Sequence, residues 1–105
     1  MNELSMKQLQ DYLSMKYMNM HDSASMFFKL VEEVGEVAEA MNQLAGRKNL
    51  ETDVSLEKEL ADIIHYTVAI ANIHSIDLSK AIIEKDRYAA IKYHQSPNLE
   101  EFIKG

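Results

Sequence analysis

Apolar side chains recur at three- and four-residue intervals along most of this chain, which is the pattern of amphipathic helices. We predict helices over residues 3–18, 24–45, 56–74 and 78–93, with a tail at 98–105 that either forms a short helical turn or frays. The third helix is nearly all apolar in its second half and should be central. Along the second helix, the predicted core positions include Phe27, Val31, Val34, Met41 and Leu44.

The residues between these segments carry start and stop signals for helices. Short polar side chains that can cap a helix precede the last three helices, at Asp22 or Ser23, Ser55 and Asp77. Gly46 suits the left-handed position that ends a helix, and residues 47–54 are predicted to form a loop. Four helices with short connections indicate an all-α fold, a four-helix antiparallel bundle.

The composition limits the class of protein. The chain has 105 residues, 47% of them hydrophobic and 27% charged, with three Gly and one Pro, which is typical of one helical domain spanning residues 1–105. A domain of this size buries a modest share of its surface, so we expect oligomerisation, as a homodimer or homotetramer, to complete the bundle. The net charge of -6 excludes a long nucleic acid as a partner.

The sequence lacks two features, and their absence limits the chemistry and the location that we expect. The chain has no cysteine, which excludes disulfide scaffolds, thiolate catalysis and cysteine-bound zinc. Its first residues lack a basic start followed by an apolar core, and no run of about 18 apolar residues occurs. We therefore expect a cytoplasmic protein that does not enter a membrane.

Two pairs of acidic residues interrupt the apolar helices. Glu33 and Glu36 lie three positions apart in the second helix, and Glu59 and Asp62 repeat that spacing in the third. We expect the pairs to face each other and to bind Mg²⁺, with Mn²⁺ as an alternative, because clustered carboxylates need a compensating cation. Gly35 lies inside the second helix, where a close approach of the third helix would explain it.

Periodicity alone leaves a second interpretation open. Acidic residues on helices are usually solvated, so the chain could be a non-catalytic helical interaction module with an acidic face. A third interpretation, a di-iron site, starts from the spacing of Asp62 and His65. It fails because the second acid-x-x-His unit that such a site needs is missing from the sequence.

The acidic segments resemble a known family. Glu32-Glu33-x-x-Glu36 and Glu59-x-x-Asp62 resemble the EExxE and ExxD motifs of the MazG-like all-α nucleoside triphosphate pyrophosphohydrolases, and the similarity covers roughly residues 25 to 95. The resemblance implies a housekeeping enzyme of the nucleotide pool. Such an enzyme hydrolyses a nucleoside triphosphate between its α and β phosphates and releases the monophosphate and pyrophosphate.

The resemblance also implies roles for individual residues. It assigns magnesium binding to four acids, Glu33, Glu36, Glu59 and Asp62. It implies that Glu32 or Glu36 orients or deprotonates the attacking water, without choosing between them. It assigns substrate binding to Lys29, Asn72, Lys85, Lys92 and Tyr93, although Ala89 stands where relatives often have an asparagine. The preferred base and sugar and the number of metal ions are not predicted.

Overall fold

The chain folds into helices, as the periodicity predicts. The computed structural model describes residues 3–17, 22–46 and 55–105, and these ranges contain five helices and no strand. The helices are α1 (Met6–Lys16), α2 (Ser23–Leu44), α3 (Leu56–Ile73), α4 (Leu78–Lys92) and α5 (Leu99–Lys104). The all-α class is confirmed, and the tail forms the short α5. Within the described ranges, no helix is long and apolar enough to cross a membrane.

Local side-chain hydrogen bonds set the helix starts. The Ser5 hydroxyl accepts a hydrogen bond from the Gln8 amide, and the Gln8 side chain accepts one from the Ser5 amide, so α1 begins three residues later than predicted. The predicted caps are confirmed for the next three helices, at Asp22, Ser55 and Asp77. Gly46 has a φ of 73°, as expected for the end of α2. The predicted loop at 47–54 lies outside the described residues.

Helix α3 is the centre of the packing. Both α1 and α2 pack against it, α4 packs against α1, and α5 packs against α4. The most deeply buried large side chains are Leu13 of α1 and Val68 of α3, each 1% exposed. The predicted central position of the third helix is therefore correct.

The apolar side of α2 is not buried within one chain. We predicted core positions there, but five of them are about half exposed or more, namely Phe27, Val31, Val34, Met41 and Leu44. This part of the prediction is wrong for the single chain, because α3 is the helix that packs along α2 while α4 packs on α1 instead. Leu60 and Ile64 of α3 are likewise about half exposed.

Candidate functional site

Three carboxylates from two helices meet where α2 packs against α3. One oxygen from each of Glu33, Glu59 and Asp62 lies within 4.8 Å of the others, and all three side chains are half-buried. We call these three residues the acidic cluster. Glu36, one turn after Glu33, is exposed at its rim. The expected facing of the two acid pairs is thus present in the structure.

Two oxygens of the acidic cluster have unsatisfied hydrogen-bonding capacity. Oε2 of Glu33 and Oε2 of Glu59 are buried, and neither has a hydrogen-bond partner among the described residues. Leaving a buried carboxylate oxygen without a hydrogen-bond partner costs free energy, and the cost is larger for a charged group. Carboxylate oxygens are the preferred ligands of Mg²⁺ and Mn²⁺, so a divalent cation fits this donor set.

Mutual repulsion shifts the protonation of these acids. The neighbouring Glu59 carboxyl lowers the pKa of Glu33, but partial burial and the charges of Glu36 and Asp62 outweigh it, and the net pKa is raised. The pKa of Glu36 is raised mainly by the neighbouring Glu59 carboxyl. The pKa of Glu59 is raised mainly by the neighbouring Glu33 carboxyl. Without a cation, the acids therefore hold protons more tightly than free carboxyls do.

Lys29 and Glu32 lie together on the outer side of α2. The Lys29 ammonium is 3.9 Å from a carboxylate oxygen of Glu32, and both side chains are more than half exposed. An exposed pair at this distance contributes little to stability, about 0–1 kcal/mol. The lysine therefore contacts the predicted catalytic acid Glu32, and the roles of both residues in catalysis and substrate binding stay predictions.

The other predicted substrate-binding residues lie elsewhere in the fold. Asn72 follows Asp62 by ten positions on α3, which is about 15 Å along the helix axis. Its amide group exchanges hydrogen bonds with Gln10 of α1. Lys85, Lys92 and Tyr93 are exposed on α4 or at its end, and α4 packs against α1 and α5. Substrate contacts by these four residues stay predictions.

Three ring side chains next to the acidic cluster had no role in the sequence-based site. The Tyr17 hydroxyl lies 2.6 Å from Nε2 of His65, and the His65 and Tyr66 rings meet edge to face with centroids 4.9 Å apart. Burial raises the pKa of Tyr66, and the charges of Tyr17, Glu33, Asp62 and Glu32 raise it further. The signal in the sequence was the three- and four-residue spacing from Asp62, which places His65 and Tyr66 one turn along α3.

His65, whose spacing from Asp62 suggested a di-iron site, is hydrogen-bonded to Tyr17. Burial lowers the pKa of its imidazole, and nearby Lys16 lowers it further, while the Asp62 charge acts in the opposite direction. Its Nε2 is paired with the Tyr17 hydroxyl. In the described part of the chain, the group of side chains that could hold a metal ion contains three acids and no histidine.

A family model and a solved structure place this chain in the same family. A family model described as the MazG nucleotide pyrophosphohydrolase domain matches residues 21–87. The crystal structure of iMazG from Vibrio DAT 722 is 31% identical, with a TM-score of 0.68, and the match covers 88% of this chain and 100% of that one. The Bacillus-conserved MazG protein, a nucleotide pyrophosphohydrolase, has a TM-score of 0.66 over 95% of this chain and 99% of that one. Its identity is 23%, so it supports the fold alone.

A curated relative adds a sequence match. The uncharacterized protein YpjD of Bacillus subtilis (strain 168) is 37% identical over 60 residues, which is 54% of this chain and 54% of YpjD. The match thus spans about half the length of that relative. The family model and the iMazG structure confirm the resemblance and the helical fold predicted from the sequence.

Proposed function

Because the chain belongs to the MazG nucleotide pyrophosphohydrolase family, we propose that it hydrolyses a nucleoside triphosphate to the monophosphate and pyrophosphate. The observation that carries this proposal is the acidic cluster of Glu33, Glu59 and Asp62, with its buried and unpartnered carboxylate oxygens. A solvated acidic face, as in the alternative interaction module, would leave those oxygens exposed to water. The arrangement therefore favours the enzyme over the module.

The proposed cofactor is Mg²⁺, with Mn²⁺ as the alternative. The acidic cluster would hold it, with Glu36 at the rim as a further oxygen donor. A bound divalent cation neutralises phosphate charge and makes a bound water more acidic. The protein's contribution is to bring the carboxylates of α2 and α3 to within 4.8 Å of one another.

The reaction also needs a proton acceptor. Water adds to phosphorus, the anhydride bond between the α and β phosphates breaks, and pyrophosphate leaves while a carboxylate takes the proton of the water. Glu32 and Glu36 are the proposed acceptors. Glu36 interacts directly with Glu59 of the acidic cluster, whereas Glu32 lies beside Lys29. The position of Glu36 suits a group that both binds the cation and receives a proton. The position of Glu32 suits a base outside the metal-binding group.

We propose that the active enzyme is a homodimer or homotetramer. The support is the apolar surface of α2 and α3, where Phe28 and Leu44 are 66% and 73% exposed. A second copy that covers this surface would remove large apolar side chains from water, at about 25 cal/mol for each Å² buried. Sedimentation equilibrium of the purified chain measures the assembly state directly, and a monomer at micromolar concentration would contradict the proposal.

The remaining expectations concern the substrate and the location. Lys29, Asn72, Lys85, Lys92 and Tyr93 are proposed to contact the nucleotide, through phosphate oxygens for the basic groups. We propose a nucleotide-pool function in the cytoplasm, without a membrane or a long nucleic acid as partner. The charge of -6 supports the exclusion of a long nucleic acid, and the family supports the function on nucleotides.

The test is pyrophosphate release from a panel of ribo- and deoxyribonucleoside triphosphates, with Mg²⁺ and with EDTA. We expect release from at least one nucleotide, its loss in EDTA, and a loss of at least about a hundredfold in Glu59→Gln, since removal of an electrostatic group at a reaction centre costs that much. Glu57→Gln is the matched control, because Glu57 lies in the same helix turn but is exposed. Equal activity of Glu59→Gln and wild type would refute the proposed site.

The base assignment has its own test. Glu32→Gln and Glu36→Gln are compared for kcat and, by calorimetry, for Mn²⁺ affinity. A base outside the metal-binding group loses kcat and keeps Mn²⁺ affinity, whereas a ligand loses both. If both variants keep the kcat and the Mn²⁺ affinity of wild type, neither residue has its proposed role in the mechanism.

A further inference from the structure

A row of three rings connects α1 to the acidic cluster. Tyr17 caps the C-terminal end of α1, and its hydroxyl is hydrogen-bonded to His65 of α3 at 2.6 Å. The Tyr17 and His65 rings also meet edge to face, with centroids 5.5 Å apart, and the next ring is Tyr66. All three side chains are half-buried. We call Tyr17, His65 and Tyr66 the aromatic row.

The row ends beside the carboxylates that would hold the cation. Tyr66 follows Asp62 by four positions, so the two side chains share one face of α3. Burial raises the pKa of Tyr66, and the charges of Glu33 and Asp62 raise it further. Phosphates bound at the cluster would thus carry their nucleoside close to a surface of rings, and ring faces accept any nucleobase by stacking.

The hydrogen bond between Tyr17 and His65 limits the movement of this surface. An imidazole on α3 with no partner could change its ring orientation, whereas an imidazole bonded to a residue 48 positions away is fixed by the packing of two helices. His65 in turn packs edge-on against Tyr66. The Lys16 ammonium, 5.6 Å from the centre of the Tyr17 ring, adds a further contact at the α1 end.

We propose that Tyr17 and His65 are positioning residues for the nucleoside part of the substrate, because they hold the Tyr66 ring beside the acidic cluster. This inference rests on the proposed function, since it requires that the phosphates bind at the cluster. It assigns the two ends of the ligand to different parts of the protein. The carboxylates serve the cation and phosphates, and the aromatic row serves the base and sugar.

The experiment compares three probes by calorimetry on the full chain. The probes are Mn²⁺ alone, Mn²⁺ with tripolyphosphate, and Mn²⁺ with the α,β-imido analogues of dATP and dUTP. Tyr17→Phe removes the hydroxyl and keeps the ring, His65→Leu removes the imidazole, and His65→Gln keeps a polar partner for Tyr17. Tyr12→Phe is the matched control, because Tyr12 is on the same helix and 54% exposed.

We expect Tyr17→Phe and His65→Leu to weaken the tighter-binding imido analogue about fivefold to tenfold, because a Tyr66 ring that is no longer held must be ordered on binding, with Mn²⁺ and tripolyphosphate binding unchanged. His65→Gln should recover part of the loss, and Tyr12→Phe should match wild type. Equal weakening of tripolyphosphate and nucleotide, or no weakening of either, overturns the inference while the proposed function stands. Absence of Mn²⁺ binding by the wild type overturns both.

Discussion

Gln10 and Asn72 exchange hydrogen bonds across the contact between α1 and α3. The Gln10 side-chain amide donates to Oδ1 of Asn72, and the Asn72 amide donates to the backbone carbonyl of Gln10, both at 2.9 Å. Gln10 also donates to the carbonyl of Ile76 and accepts from the amide of Leu78. One side chain thus joins α1, the end of α3 and the start of α4.

This network predicts that Asn72→Ala lowers the free energy of unfolding by about 1–3 kcal/mol, because it leaves part-buried polar groups without partners. Urea denaturation measures the change, and Gln95→Ala, at an exposed glutamine, should stay within about 0.5 kcal/mol of wild type. The proposed contact of Asn72 with the nucleotide is a separate prediction. A raised KM with unchanged stability would support that contact and contradict the structural role.

The raised pKa values of the acids predict an unusual dependence of stability on pH. Glu33, Glu36 and Glu59 have pKa values above the ordinary 4.5, so the metal-free folded state binds their protons more tightly than the unfolded state does. Their contribution to stability is therefore present at low pH and declines as pH rises from about 4.5 through the raised values. Thermal melts in EDTA between pH 4 and 8 measure this contribution. It is the difference in melting temperature between wild type and Glu59→Gln at each pH.

The same argument predicts the response to a cation. At pH 7, Glu59→Gln should melt higher than wild type in EDTA, because it removes one of the repelling charges. Mg²⁺ or Mn²⁺ should raise the melting temperature of wild type and have a smaller effect on the variant, since a ligand specific to the folded state stabilises it. Equal metal responses in the two proteins would show that the cluster does not bind the cation.

Local signals account for most of what the sequence predicted correctly. A helix start depends on atoms within three residues, as with the Asp22 carboxylate and the Ser25 amide, and such a bond is visible in the sequence. The spacing of Glu33, Glu59 and Asp62 on apolar helices likewise predicted their approach. Periodicity identifies the face a residue occupies, and two amphipathic helices that pack together bring those faces into contact.

The features that were missed depend on pairs distant in sequence. Tyr17 and His65 are separated by 48 positions, and Gln10 and Asn72 by 62, so no periodic pattern within one helix joins them. The exposed side of α2 has a different cause. Its apolar spacing shows that the face needs a partner, but not whether that partner comes from the same chain, and within one chain Val34 stays half exposed.

A hydrogen bond from Leu99 to Asp86 holds the start of α5 on α4. The Leu99 amide donates to the Asp86 carboxylate at 2.6 Å, and Arg87 pairs with Glu100 at 3.0 Å near the surface. Asp86→Ala should cost about 1–2 kcal/mol, because it removes a part-buried charge-assisted bond. Arg87→Gln should cost less than about 1 kcal/mol, as for exposed ion pairs. Amide hydrogen exchange in α5 measures the effects of both substitutions. A larger effect of Arg87→Gln than of Asp86→Ala would contradict the prediction.

Gly35 predicts a substitution that separates stability from function. We expected a close approach of α3 to explain this glycine, but a Cβ atom built there would meet nothing within 4 Å among the described residues. Gly35 lies in the interior of α2 without a positive φ. Gly35→Ala should therefore raise the free energy of unfolding by about 0.5–1 kcal/mol, the difference in helix propensity between the two residues.

The effect of Gly35→Ala on nucleotide affinity and on assembly then shows what occupies the space beside this residue. Gly35 directly precedes Glu36, so a methyl group there would lie next to the rim of the acidic cluster. If nucleotide or a second copy of the chain approaches the backbone at that point, the variant will gain stability as a monomer while losing nucleotide affinity or assembly. Unchanged kcat/KM and unchanged sedimentation would show that the space is open to solvent, and lower stability would contradict the propensity argument itself.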